Sequence, residues 1–374
     1  MHTTPTDPSV PIELITSNEE LILAVEQLKH CSQIAIDTEY DSFQRHYGFT
    51  LLLIQIWDGK KIYLIDPLRI KDLSPLWTII GDQEICKVLY SGSEDIALLK
   101  QSGSEIKNIY DVQIAATLCN TAERNLGELM ESETGIPLNK KQQTSDWSIR
   151  PLTDEQVEYA ANDVLHLLTI KEKLNQLVDL RGLTDVLLEE NAALEKITPR
   201  EHVPRLKPIY YNTHTKSFCE TFLALLEWRD RIARSMNLSP VRVVDTRHIE
   251  DALNNKTRFL SDREFAGFNP KIKNSPALQA EFIKILQQYD PTDPTRFPRE
   301  RTMRNPSMSK MEKEEMVRTR YEPIQQELLN KYGERTTEYL LRGLKKVLVS
   351  ENSEEQEIRE YQRRLIDRMK SIQS

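Results

Sequence analysis

Two carboxylates, Asp37 and Glu39, stand two residues apart in Ile34-Ala-Ile-Asp-Thr-Glu-Tyr40, at the end of an otherwise apolar run. Side chains alternate along a strand, so both acids share one face. Held close, like charges repel and raise each other's pKa, and a hard divalent cation with oxygen ligands removes that conflict. Taken alone, an Asp-x-Glu is also what a solvated strand end looks like. Asp95 follows in Tyr90-Ser-Gly-Ser-Glu-Asp-Ile-Ala-Leu-Leu99, where a strand passes through Gly92 into a helix; an Asp there can equally cap free amides. Tyr159 and Asp163 are four residues apart and stack on one face of a helix. Two strand acids, then a strand-to-helix Asp, then a helical Tyr-x-x-x-Asp suit metal-assisted hydrolysis.

The elements that must carry these residues read as an α/β domain. A helix over 18–29 precedes strands at 33–38, 51–57 and 61–65, the last two joined by Asp58-Gly59-Lys60 as a hairpin. Helix 73–80, strand 87–90, helix 95–101, strand 108–110 and helix 113–119 then alternate. The expected sheet has five strands, an antiparallel meander extended by parallel strands. Between 121 and 153 only a helix at 126–130 stands out. Thr153 and Gln156 form a capping box for one helix, whose apolar stripe runs from Val157 to Leu174.

Pro199, Pro204 and Pro208 mark a linker, which places a boundary near residue 205. Phe218, Phe222, Leu225, Leu226, Ile232 and Met236 form the stripe of a long amphipathic helix. Asp290-Pro-Thr-Asp-Pro294 and Asn305-Pro-Ser307 mark a second break before a charged helical segment from Lys310 onward. The expected domains are 1–205, 210–292 and 306–374, since 374 residues exceed one core.

Charge divides the same way: residues 1–200 carry about −14 and residues 201–374 about +6. An acidic half suits a cation site and a basic half suits phosphates, although solvated faces produce the same split. Met1 to Pro11 lacks the basic start and apolar run of a targeting segment, and no apolar stretch is long enough to span a bilayer, so cytoplasmic residence is the default expectation. Cys31, Cys86, Cys119 and Cys219 form no C-x-x-C pair and read as buried free thiols. No P-loop, G-x-G-x-x-G or H-E-x-x-H is present.

Asp37-Thr-Glu39, Gly92-Ser-Glu-Asp95 and Tyr159-Ala-Ala-Asn-Asp163 resemble, in order, the three motifs of the DEDD superfamily of 3′→5′ exonucleases, in the subgroup with Tyr in the third motif. Ile109-Tyr-Asp-Val-Gln-Ile-Ala-Ala116 and Asp146-Trp-Ser-Ile-Arg-Pro-Leu152 narrow the resemblance to the ribonuclease D family. Asp111 also lies between a strand and a helix, but the family pattern aligns its second acid with Asp95, which leaves Asp111 as a helix cap. Trp228-Arg-Asp-Arg-Ile-Ala233 resembles the opening helix of a helicase and ribonuclease D C-terminal (HRDC) domain, and residues 306–374 resemble a degenerate second copy. Tyr40 replaces a usual Phe, and His46-Tyr-Gly-Phe49 replaces a Pro-containing segment, so the loop shaping the substrate channel differs from that of many relatives.

The resemblance implies an α/β ribonuclease H-like exonuclease domain followed by all-α HRDC-type domains. It implies two divalent ions, Mg2+ or Mn2+, held by Asp37, Glu39, Asp95 and Asp163, with Tyr159 orienting the attacking water. It further implies a monomer that releases mononucleotides from the 3′ ends of RNA, transfer RNA precursors among them. Thr38, Tyr40, Trp228, Arg229, Arg231 and Arg234 are candidate substrate contacts, with Arg242 beside them; for the arginines the bland reading is a solvated helix face with Trp228 in the core. Two alternatives stay open: a DNA 3′→5′ exonuclease of repair or proofreading, and a non-catalytic RNA-binding protein.

Overall fold

A computed structural model describes residues 10–43, 45–123, 125–135, 140–199, 202–262, 265–297, 309–349 and 358–372. The chain divides into two compact units. The first is built from residues 1–39, 51–199 and 305–374, the second from 40–50 and 200–304. The expected break at Asn305-Pro-Ser307 lies outside the described residues.

The first unit holds strands β1 (Ile12–Ile15), β2 (Gln33–Ser42), β3 (Phe49–Trp57), β4 (Ile62–Ile65), β5 (Cys86–Leu89) and β6 (Ile109–Asp111), in sheet order β1-β4-β3-β2-β5-β6. Both β2 and β3 run on into residues that belong to the second unit. β3 and β4 pair antiparallel from Ile54↔Ile65 to Trp57↔Ile62, the hairpin expected from Asp58-Gly59-Lys60. Asp58 Oδ1 accepts from the amides of Lys60 and Lys61, and Gly59 takes the left-handed φ of 90° that the turn requires. β2, β5 and β6 are parallel neighbours.

The sheet has six strands, not five. β1 pairs parallel with β4 at the edge, Ile12↔Ile62 through Ile15↔Ile65. Four residues behind Pro11 are too short to show an alternation, so β1 is defined by its partner.

Helices α1 (Asn18–Leu28), α2 (Ser74–Ile80), α3 (Ser93–Gln101), α4 (Val112–Leu118) and α5 (Leu126–Thr134) follow the strands. Next come α6 (Asp154–Leu165), α7 (Leu167–Leu180) and α8 (Thr184–Leu194). The apolar stripe expected to form one helix is interrupted at His166, which caps α6 and opens α7 with φ −101° and ψ −6°.

The second unit contains α9 (Pro208–Thr213), α10 (Lys216–Met236), α11 (Pro240–Val243), α12 (Thr246–Asn254), α13 (Lys256–Asp262), α14 (Pro270–Lys273) and α15 (Pro276–Gln287). Thr215 caps α10, and Asn237 ends it in the left-handed region. Its stripe meets Phe265, Phe268 and Phe282 in an aromatic core.

Residues 309–372 return to the first unit as α16 (Lys310–Met316), a π-helical turn (Val317–Tyr321), α17 (Glu322–Tyr332), α18 (Glu334–Leu341), α19 (Leu344–Val349) and α20 (Glu360–Ser371). The expected separate block at 306–374 is not set apart: Tyr321, Leu328, Leu340, Leu344 and Met369 share one core with Leu118, Leu174 and Leu187. The segment expected only as charged helix from Lys310 onward has apolar residues whose packing partners lie more than a hundred residues upstream. No described helix is long and apolar enough to cross a membrane. All four cysteines are free; Cys219 is buried and the other three are half-buried.

Candidate active site

β2 delivers the first two acids. Its apolar residues Ile34, Ala35 and Ile36 are fully buried, and the pleat then aims Asp37 and Glu39 to the same side. α6 delivers the rest. Its capping box is as the sequence predicts, with the Gln156 amide donating to Thr153 Oγ1 and the Thr153 amide to Gln156 Oε1. Two turns later Asp163 reaches the strand acids: one carboxylate oxygen each from Asp37, Glu39 and Asp163 lie within 4.8 Å of one another.

Asp95 enters from the first turn of α3. Gly92 occupies the N-cap position with no side-chain cap bond, and Asp95 sits three residues on, its carboxylate held by its own amide. A Cβ at Gly92 would lie 2.8 Å from the Leu89 side chain, which gives this turn a steric need for glycine. The Thr38 hydroxyl, between the two strand acids, donates to Asp95 Oδ1. Thr38 thus acts inside the acid cluster, as a partner of Asp95.

Asp111 caps α4, accepting from the amides of Gln113 and Ile114. It also accepts from Ser91 and Gly92, so it fixes the turn that launches α3. Tyr159 donates to Asp163 and its ring lies 5.9 Å from that of Trp147. Trp147 and the clamp behind it carry no role in the sequence reading, although they lie in one of the stretches quoted for the resemblance. Arg150 pairs with Asp66 through Nε and Nη2, and it donates to the carbonyls of Trp147 and Leu52.

Asp95 and Asp163 are 9% and 7% exposed, whereas Asp37 and Glu39 are half-buried at the open side of the cluster. Burial is the first cause raising Asp37 well above the carboxylate range, with the charges of Asp95, Asp163 and Glu39 adding to it. Burial, then Asp163 and Asp95, pushes Glu39 up to about 9. Asp95 and Asp163 are also raised, chiefly by burial, while hydrogen bonds from Thr38 and Tyr159 oppose the rise. Four converging carboxylates whose repulsion is relieved only by protonation form a donor set that fits hard divalent cations.

The remaining candidates lie elsewhere. Tyr40 packs on Phe49 with ring centroids 6.0 Å apart. Trp228 is 3% exposed and packs on Phe282, so it belongs to the core of the second unit and faces no substrate. Arg229 donates to the Val244 carbonyl and to Thr246. Exposed Arg231 pairs with Glu281, Arg234 donates to the Tyr47 hydroxyl, and Arg242 is exposed on α11.

A family model described as 3′-5′ exonuclease matches residues 12–179, the stretch that holds all four acids and Tyr159. Residues 12–179 are thus similar to a 3′-5′ exonuclease domain. Ribonuclease D of Escherichia coli is 33% identical over 244 residues, covering 63% of this chain and 64% of that one. The sequence match therefore spans just under two thirds of that relative. The crystal structure of E. coli ribonuclease D, an exoribonuclease involved in structured RNA processing, matches with a TM-score of 0.66 and 26% identity over 91% of this chain and 90% of that one. A Bifidobacterium adolescentis protein shares the fold over 98% of both chains, with a TM-score of 0.76 and 20% identity. The exonuclease domain is thus the ribonuclease H-like part expected from the motifs, followed by helices.

Proposed function

We propose that the protein is a 3′→5′ exoribonuclease of ribonuclease D type that releases 5′-mononucleotides, trimming transfer RNA precursors and other small structured RNAs. The observation that carries this reading is the convergence of Asp37, Glu39 and Asp163, with Asp95 tied to them through Thr38. Asp37, Glu39 and Asp163 would hold one divalent cation, and Asp37 with Asp95 a second. Two such ions, Mg2+ or Mn2+, supply an activated water, charge neutralisation on the phosphorane and stabilisation of the departing 3′ oxygen.

The chain's own groups orient and restrain. Burial first, then the charges of Asp163, Glu39 and Asp37, hold the Tyr159 phenol far above its ordinary pKa, so it stays protonated at neutral pH. Tyr159 is therefore not a general base: with its proton directed to Asp163, its phenolic oxygen positions the attacking water by hydrogen bonding. The Trp147 ring, packed at 5.9 Å, limits the phenol's freedom.

Asp37→Asn removes metal charge without removing packing. It is expected to lower the rate of mononucleotide release from a 3′-extended transfer RNA precursor by about a thousandfold or more, with a near-native thermal midpoint. Near-wild-type turnover in Mg2+ or Mn2+ would overturn the reading. Matched DNA oligonucleotides in the same assay test the choice of RNA.

A further inference from the structure

The second unit carries a half-open cavity of about 610 Å3 that the acid cluster does not explain; every residue lining it belongs to that unit. One wall is aromatic. The Phe43 ring stands edge-on to Phe49 at 5.9 Å, and the His202 ring lies 4.4 Å from Phe43. Phe43 takes a φ of 54°, a left-handed conformation that a bulky side chain rarely adopts, and its amide donates to the Gly48 carbonyl. Such strain at a loop residue whose ring faces a cavity is a mark of function.

The other wall holds unmet hydrogen-bonding capacity. Asp230 is 7% exposed, and its Oδ2 accepts from the Tyr47 hydroxyl at 2.7 Å. Its buried Oδ1 lies 3.1 Å from His202 Nε2 but receives no hydrogen bond of good geometry. Beside it, Arg229 spends Nη1 on Val244 and Thr246 while its buried Nε has no acceptor. A buried acceptor and a buried donor left open in one cavity are costly unless a ligand meets them. Arg205 adds an exposed cation to the lining.

An aromatic face, an acceptor next to a donor and a cation together match a nucleotide. Stacking holds the base, an imino N–H beside a carbonyl satisfies the open pair, and the phosphate meets the arginine. We propose that this cavity is an accessory subsite that holds one unpaired base of single-stranded RNA against Phe43 and His202, with its edge bonded to Asp230 and Arg229. The choice of RNA as the ligand rests on the exoribonuclease reading above.

The test uses the full chain carrying Asp37→Asn to prevent turnover, and fluorescence anisotropy with a labelled single-stranded oligoribonucleotide. Each nucleotide is replaced in turn by an abasic one, which keeps the phosphate and removes the base. One position is expected to lose about tenfold in affinity, the scale of one base stack. The same abasic change is expected to cost nothing further once Phe43→Leu is added. The near-isosteric Asp230→Asn is expected to change which base is preferred at that position, and thermal midpoints check that both variants fold. A uniform scan, an abasic penalty that persists in Phe43→Leu, or a base preference left unchanged by Asp230→Asn would overturn the subsite. Mononucleotide release by the wild-type chain from the same RNA is measured separately: if it fails while the position-specific loss stands, the exonuclease reading falls and the subsite remains.

Discussion

Thr38 shows how much one hydroxyl can do in a crowded acid site. Its bond to Asp95 opposes the pKa rise that burial imposes and fixes the carboxylate's orientation. Thr38→Val keeps the shape and removes the donor, so Mg2+ affinity or single-turnover rate is expected to fall about 10- to 100-fold; a titration of rate against Mg2+ would expose it. The raised carboxylates also fix a sign. A group whose folded pKa lies above its unfolded value stabilises fully at or below the unfolded value and loses that contribution as pH climbs through the folded one. Metal-free protein is therefore expected to lose thermal stability from pH 5 to 8, on the way to the Glu39 value of about 9. The window stops at 8 because buried Lys87, lowered by burial to about 8, contributes with the opposite sign above it. Melts in EDTA and in Mg2+ should diverge toward pH 8, with a shallower EDTA slope in Glu39→Gln; a slope rising with pH would contradict the assignment.

At the scale of elements, Asp111 couples two helices. Its carboxylate caps α4 and holds the Ser91–Gly92 turn from which α3 presents Asp95. Asp111→Ala leaves several amides unpaired, so it is expected to cost about 2–3 kcal/mol in urea unfolding. Activity should fall further than stability explains, because Asp95 loses its anchor. Asn keeps an acceptor for Ser91, Gln113 and Ile114 but not for Gly92, so Asp111→Asn should restore stability more than activity, with Mg2+ dependence of the rate separating this role from metal binding. The same geometry explains what the sequence could disclose. Asp37 and Glu39 were legible because pleat alternation is local, and Tyr159 and Asp163 because helical spacing is local. The hairpin and the capping box were readable for the same reason. Thr38 with Asp95, Asp66 with Arg150 and Asp111 with Gly92 are separated by 57, 84 and 19 residues, and such pairs leave no periodic trace. β1 escaped because its edge position is defined by β4 and not by its own four residues.

At the scale of the molecule, the first unit is discontinuous in sequence. Its α8 carries Glu190, 3% exposed, which accepts from Arg342 Nη2 and the Tyr361 hydroxyl and lies 3.6 Å from Arg359. Glu190→Ala leaves two cations without their buried partner and is expected to cost about 3 kcal/mol; thermal melts of the full chain would show it. An unchanged midpoint would mean that apolar packing alone docks α18 to α20. Tyr321, Leu340 and Met369 complete the core that backs the helices carrying Tyr159 and Asp163, so the interior of the first unit is finished only by residues far along the chain. A nascent chain that has already produced Asp37, Glu39, Asp95, Tyr159 and Asp163 still lacks a wall of its own interior until about two hundred more residues have been translated.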